Sequence, residues 1–259
     1  MIPFNCSNYS VSDKIELTVI DIEHLTGEVQ FVLDSNFVSI CEGNSTSSLN
    51  TVKKLVANLY DSKTESWIMG ATAEFFVHLY VSLCGFKQEC LFLNLEEGSI
   101  KKGFDGYYSK AGEEWLMESK SGLIGNENVT HAAKVQLAMT DLENKVTGTD
   151  KTHKRGIANN PWRNAYSHAS QYDVGSAEKI RKNIKSLSDD FTNGVFHSIS
   201  EFNTMPCGTI YLSGVWRPFE HKNILDEIKG IADKLKGKRI HVICITHKSI
   251  EIFKSYLKG

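Results

Sequence analysis

A chain of 259 residues, 41 % of them apolar, can bury a sizeable core without disulfide or metal staples. Its formal net charge of −2 excludes attraction of polyanions by overall charge, so any nucleic-acid contact must come from a local basic patch. No window reaches the roughly 20 apolar residues of a membrane span, and MIPFNCSNYS has neither a basic flank nor a long apolar core, so no signal peptide, no membrane and a cytoplasmic location are expected.

In chain order, IELTVIDI at 15–22 alternates like a strand, and EVQFVL at 28–33 reads as its hairpin partner across a Thr26-Gly27 turn. Ser47 or Ser48 caps an expected helix through VKKLVANLYD, with Val52, Leu55, Val56 and Leu59 at helical spacing. SWIMGATAEFFVHLYVSLC at 66–84 is apolar nearly all round, which predicts a buried helix ended by Gly85. Three strands are then expected at 90–95, 102–108 and 113–120, the last two joined by a turn at 109–112.

A helix is expected from about 127, a polar loop over 147–162, and helices near 161–172 and 176–192. Strand 209–216, helix 220–236, strand 239–246 and helix 248–257 complete the chain. The sum is α/β (α+β mixed), a central mixed sheet flanked by helices. Cys6, Cys41, Cys84, Cys90, Cys207 and Cys244 include no CxxC pair, which points to free thiols and away from zinc.

Chemistry concentrates between residues 74 and 120. Acid-x-Lys triplets recur at 61–63, 143–145, 220–222 and 227–229, but only Glu118-Ser119-Lys120 ends an apolar strand, where residues two apart share a face. A turn centred at 111–112 sets Asp105 opposite Glu118. Glu74 lies among Phe75, Phe76, Val77 and Leu79, where an unpartnered charge costs several kcal/mol. A metal ion on Asp105 and Glu118 would be such a partner. Mg²⁺ prefers oxygen ligands, usually one or two carboxylates with water and phosphate. A lysine beside it can orient a water and offset developing charge. Gly103 and Gly106 flank Asp105 and read as a close backbone approach or a bulge.

The arrangement resembles the PD-(D/E)xK nuclease signature, with Asp105 as the strand acid, Glu118 and Lys120 as the ExK pair and Glu74 as the upstream helical acid; Phe104 stands where the name-giving proline would. A closer similarity is to the HamA-type (DUF1837) effector nucleases of the Hachiman anti-phage system, carried by Gly70 to Glu74, Lys102 to Gly106 and Trp115 to Lys120, about a fifth of the chain. The resemblance implies a restriction-endonuclease-like fold; with the element pattern, the nuclease-like domain is expected over 61–259, with a helical insertion near 147–195, and the N-terminal hairpin and helix over 1–60 as an extension packed on the core. It implies a Mg²⁺-dependent DNA endonuclease, Mn²⁺ substituting, in bacterial defence with a HamB-like helicase partner. Asp105, Glu118 and Glu74 would be metal ligands and Lys120 the catalytic lysine.

Lys101, Lys102, Lys151, Lys154, Arg155 and Arg163 are candidate phosphate contacts, as are the basic residues of 179–185. Trp162 and Tyr166 are candidate base-stacking groups, and His131 or Gln136 a candidate polar helper. Two alternatives stay open: a catalytically silent nuclease-fold binding subunit, and an RNA-cleaving nuclease, since the metal site itself cannot distinguish the sugar.

Overall fold

Apolar runs and alternating segments become the strands of one mixed sheet. The computed structural model describes residues 2–25, 27–94, 99–100, 103–127, 129–149 and 159–259. The strands are β1 (Asn5–Ser12), β2 (Ile15–Ile22), β3 (Lys87–Gln88), β6 (Gly106–Lys110), β7 (Glu113–Leu123), β8 (Asn203–Tyr211) and β9 (Ile240–His247), with β4 (Leu93–Asn94) and β5 (Ser99–Ile100) as a separate ribbon. The order across the seven-stranded sheet is β1-β2-β9-β8-β7-β6-β3. β2, β9, β8 and β7 run parallel; β1, β6 and β3 are antiparallel to their neighbours. Every residue of β8 is buried, as expected of a parallel strand covered on both faces.

Helices α1 (Glu28–Glu42), α2 (Leu49–Asp61), α3 (Glu65–Leu83) and α8 (Ile250–Lys258) cover one face and share a core with Met117, Met205, Cys207 and Ile243. Helices α4 (His131–Val146), α5 (Pro161–Ala169), α6 (Glu178–Thr192) and α7 (His221–Lys229) cover the other, around Leu116, Val19, Val242 and Cys244. The α/β class expected from the sequence is the one observed. Residues 5–61 supply β1, β2, α1 and α2, and β2 joins the sheet through β9. All six cysteines are free, four of them buried. Among the described residues no helix is long and apolar enough to cross a membrane.

Several elements differ from expectation for identifiable reasons. EVQFVL opens α1 rather than forming a strand, because its Leu33 begins a buried helical stripe that Phe37, Ile40 and Cys41 continue beyond it. The partner of β2 is instead β1, whose polar residues carry little pattern. In α2, Val52, Val56 and Tyr60 face inward with the stem of Lys53, while Leu55 is exposed. Of the described residues in the expected strand 90–95, Leu93–Asn94 pairs and 90–92 lie outside any strand. β8 begins six residues before the expected start, because it contains Pro206, a residue that normally argues against a central strand. Its ladder to β9 breaks there: Thr204 pairs with Ile240 and pairing resumes at Cys207–Ile243. The expected helix 220–236 stops at Lys229, followed by a 3₁₀ turn at Ala232–Lys234.

Candidate active site

The hairpin of β6 and β7 turns on Ala111 and Gly112, both at positive φ (51° and 81°), as a two-residue hairpin turn matched to strand twist requires. Lys110 pairs with Glu113 and Gly106 with Met117. One step beyond that register, Asp105 faces Glu118, as the sequence predicted. Asp105 has left the ladder, and its Oδ2 accepts the backbone N–H of Ser119 at 2.8 Å. The segment before it is clamped from the α5 side, where Phe104 packs edge-on against Trp162 at 4.8 Å. A Cβ on Gly103 would meet Asn164 and the Pro161 carbonyl at 3.2–3.3 Å.

Glu118 is buried, at 2 % exposure, and both its oxygens are taken. Lys120 Nζ donates to Oε1 at 2.8 Å and Lys145 Nζ to Oε2 at 2.5 Å. Lys120 also meets Asp141 at 2.7 Å. Asp141 and Lys145 are one turn apart on α4, which lies close over the sheet. Gly208, opposite Lys120, makes this approach possible: a Cβ there would stand 3.0 Å from the His131 carbonyl. Lys145 and Asp141 escaped the sequence reading. Glu143-Asn-Lys145 looked like one more surface acid-x-Lys triplet, and only the α4 stripe 138–141–145, read against β7, reveals the inward lysine.

The electrostatics follow. Burial, then the negative charges of Glu118 and Glu74, pushes the Asp105 carboxyl up to about 7, against the pull of Lys145 and Lys120. Burial also opposes the Glu118 carboxylate, but Lys145 and Lys120 outweigh it and hold its pKa below the ordinary value. For Lys120 burial is overcome by Glu118 and Asp105, which hold the ammonium above the usual lysine range. Lys145 behaves likewise. Lys120 is therefore a cation here, suited to stabilising charge.

Glu74 lies on α3 across the sheet, 6 % exposed, with Oε1 3.4 Å from His78 Nε2. Its charge reaches Asp105. In this conformation no group of three or more His, Cys, Asp or Glu side chains among the described residues is arranged to hold a metal ion. The donor chemistry nevertheless fits a hard divalent cation. Asp105 and Glu118 offer carboxylate oxygens, each oxygen has a second lone pair, and a dication would offset the burial and the mutual repulsion that raise Asp105.

The other expected groups divide. Lys101, Lys102, Lys151, Lys154 and Arg155 lie outside the described residues. Arg163 is exposed on α5, beside the residues that pack on Gly103. Trp162 is 1 % exposed between Phe104, Tyr107 and Phe202, a core residue rather than a stacking platform. His131 is also core: it sits against the Ile245 carbonyl and Phe219, with burial pushing its pKa down to about 4. On α6, Lys182 pairs with Glu178 and Lys185 with Asp189, an ordinary solvated face. A cavity of about 690 Å³ lies near the hairpin turn, lined by Tyr80, Phe86, Lys110, Trp115, Arg239 and His241, and includes none of the site carboxylates. A scan of the sequence against protein-family models finds no match, and a search of curated proteins finds none.

Proposed function

We propose that this chain is a metal-dependent nuclease of the PD-(D/E)xK type that hydrolyses DNA phosphodiester bonds. The observation that carries the reading is the meeting of Asp105, Glu118 and Lys120 at one end of the β6–β7 hairpin, with Asp105 disfavoured as an anion by burial and by its acidic neighbours. The order of elements supports it too: α3 carrying Glu74 precedes the β6–β7 hairpin, with the first acid directly before β6, the ExK pair on β7 and α4 following.

Asp105 and Glu118 would hold Mg²⁺ or Mn²⁺, and Glu74 would add negative charge behind them. When bound, the cation supplies Lewis acidity and a water of lowered pKa. Lys120, freed from part of its bond to Glu118, would place its ammonium against the phosphoryl oxygens, where charge grows in the transition state. Lys145 keeps Glu118 ionised and oriented. Arg163 would contact the backbone phosphates near Asp105.

In the fuller reading, the chain is the effector of a bacterial anti-phage complex and a helicase subunit delivers its DNA. That part rests on the sequence resemblance and on the net charge of −2, which gives little affinity for DNA from afar. A second reading, a catalytically silent nuclease-fold subunit, draws on the closed Lys120–Glu118–Lys145 network, in which two ammoniums satisfy Glu118 without a metal ion. Purified protein with plasmid and Mg²⁺ or Mn²⁺ separates the two. The nuclease reading expects nicked or linear product that Glu118→Ala and Lys120→Ala abolish. Product formed equally by parent and variants marks a contaminant and removes the reading; parallel incubation with single-stranded RNA tests RNA cleavage.

A further inference from the structure

Behind Glu74 stands a pair of buried side chains with no part in the chemistry above. His78 Nε2 faces Glu74 Oε1 at 3.4 Å, one helical turn away, and Nδ1 of the same ring lies 2.6 Å from the Tyr108 hydroxyl. Both His78 and Tyr108 are wholly buried. With Glu74 ionised and the His78 ring neutral, the protons have one consistent arrangement. A carboxylate only accepts, so Nε2 carries the hydrogen; a neutral ring then accepts at Nδ1, and the Tyr108 O–H donates to it.

Tyr108 is anchored on the strand that brings Asp105. Its ring lies over Gly106, where a Cβ would fall 2.5 Å from ring carbon Cε2 and 2.8 Å from the hydroxyl. Gly106 follows Asp105 directly. The hydrogen-bonded chain therefore ties the helix of Glu74 to the strand of Asp105. The 3.4 Å contact is too long to fix a carboxylate alone, so the orientation of the His78 ring matters, and the short bond to Tyr108 sets that orientation.

We propose that Tyr108 and His78 are positioning residues for Glu74, holding its carboxylate where its charge reaches Asp105 and so setting the affinity of the Asp105–Glu118 pair for a divalent cation. The inference rests on the nuclease reading, which supplies the cation. Neither residue touches the substrate or the reacting atoms.

The test is Mn²⁺ binding to the full chain, followed by electron paramagnetic resonance in the absence of DNA, on parent, Tyr108→Phe, Glu74→Gln and the double variant. Tyr108→Phe keeps the ring and removes only the hydroxyl; His78→Asn serves as a second variant. Near-ultraviolet circular dichroism checks the fold. The expected result is an about tenfold weaker dissociation constant for Tyr108→Phe, a comparable or larger loss for Glu74→Gln, and no further loss in the double variant. Unchanged affinity in Tyr108→Phe overturns the proposal, as does a loss that adds in full to that of Glu74→Gln. If the parent cuts plasmid and binds Mn²⁺ while the effects add, only the positioning role falls. If the parent binds no Mn²⁺, the nuclease reading falls with it.

Discussion

Asp105 and Glu118 meet across the open end of the β6–β7 hairpin, one step past the last ladder pair, with Asp105 Oδ2 on the N–H of Ser119 at 2.8 Å. The carboxyl of one therefore ends the ladder beside the buried carboxylate of the other. Two like charges this close make each sensitive to its counter-ions, and the consequences are measurable.

Glu118 bridges two part-buried ammoniums, at 2.8 Å from Lys120 and 2.5 Å from Lys145. Glu118→Gln takes from Lys145 its directly bonded countercharge, leaving the more distant Asp105, and is expected to cost about 3–5 kcal/mol of stability. Lys145→Met is expected to cost less, since Glu118 keeps Lys120. Urea unfolding of the three proteins checks the order; equal midpoints for parent and Glu118→Gln contradict it.

The Asp105 carboxyl, raised from 3.8 to about 7, carries a sign that can be tested. Between those values the folded protein keeps a proton that the unfolded chain has lost. Metal-free stability therefore falls as pH rises from about 4 to about 7 and levels beyond, by at most about 1.4 kcal/mol per pH unit from this group. Asp105→Asn retains an acceptor for the Ser119 N–H and removes the titration. The parent-minus-variant stability difference, measured by denaturant titration across this range, is expected to slope downward. A flat or rising difference contradicts the assignment.

Gly106 has no room for a side chain under Tyr108. Gly106→Ala is expected to displace the ring at a cost of about 1–3 kcal/mol and to lower cleavage through the loss of the Tyr108–His78 bond. Thermal unfolding and the plasmid assay measure both. Full activity with parental stability would mean that the ring does not rest there.

Ala111 holds φ 51°, a region that costs a residue with Cβ about 1–2 kcal/mol. Ala111→Asn keeps the turn and suits that conformation, so a gain of about 0.5–1 kcal/mol is expected. A melting curve shifted downward would mean that the turn is not of this type.

The sequence made the site's own strand legible because Trp115, Leu116 and Met117 form an apolar run buried on both faces, and the acid-x-Lys pair follows it directly. The turn centre at 111–112 then fixed Asp105 opposite Glu118 by counting, and the register agrees. Helix α3 was equally plain, since every residue from 71 to 81 is buried. What stayed hidden depends on contacts distant in sequence. Lys145 faces inward only because Gly208 admits α4, and Trp162 and His131 are core because other elements cover them. β1 was missed because an edge strand of Asn and Ser has no apolar signal, and EVQFVL was misread because six residues cannot separate a strand from a helical turn.

The most direct test is a crystal structure grown with Mn²⁺ and measured at its absorption edge. The account predicts an anomalous peak bonded to carboxylate oxygens of both Asp105 and Glu118, with the Lys120 ammonium turned from Glu118. A fully occupied protein with no peak there, and with Glu118 still bridging Lys120 and Lys145, would contradict it.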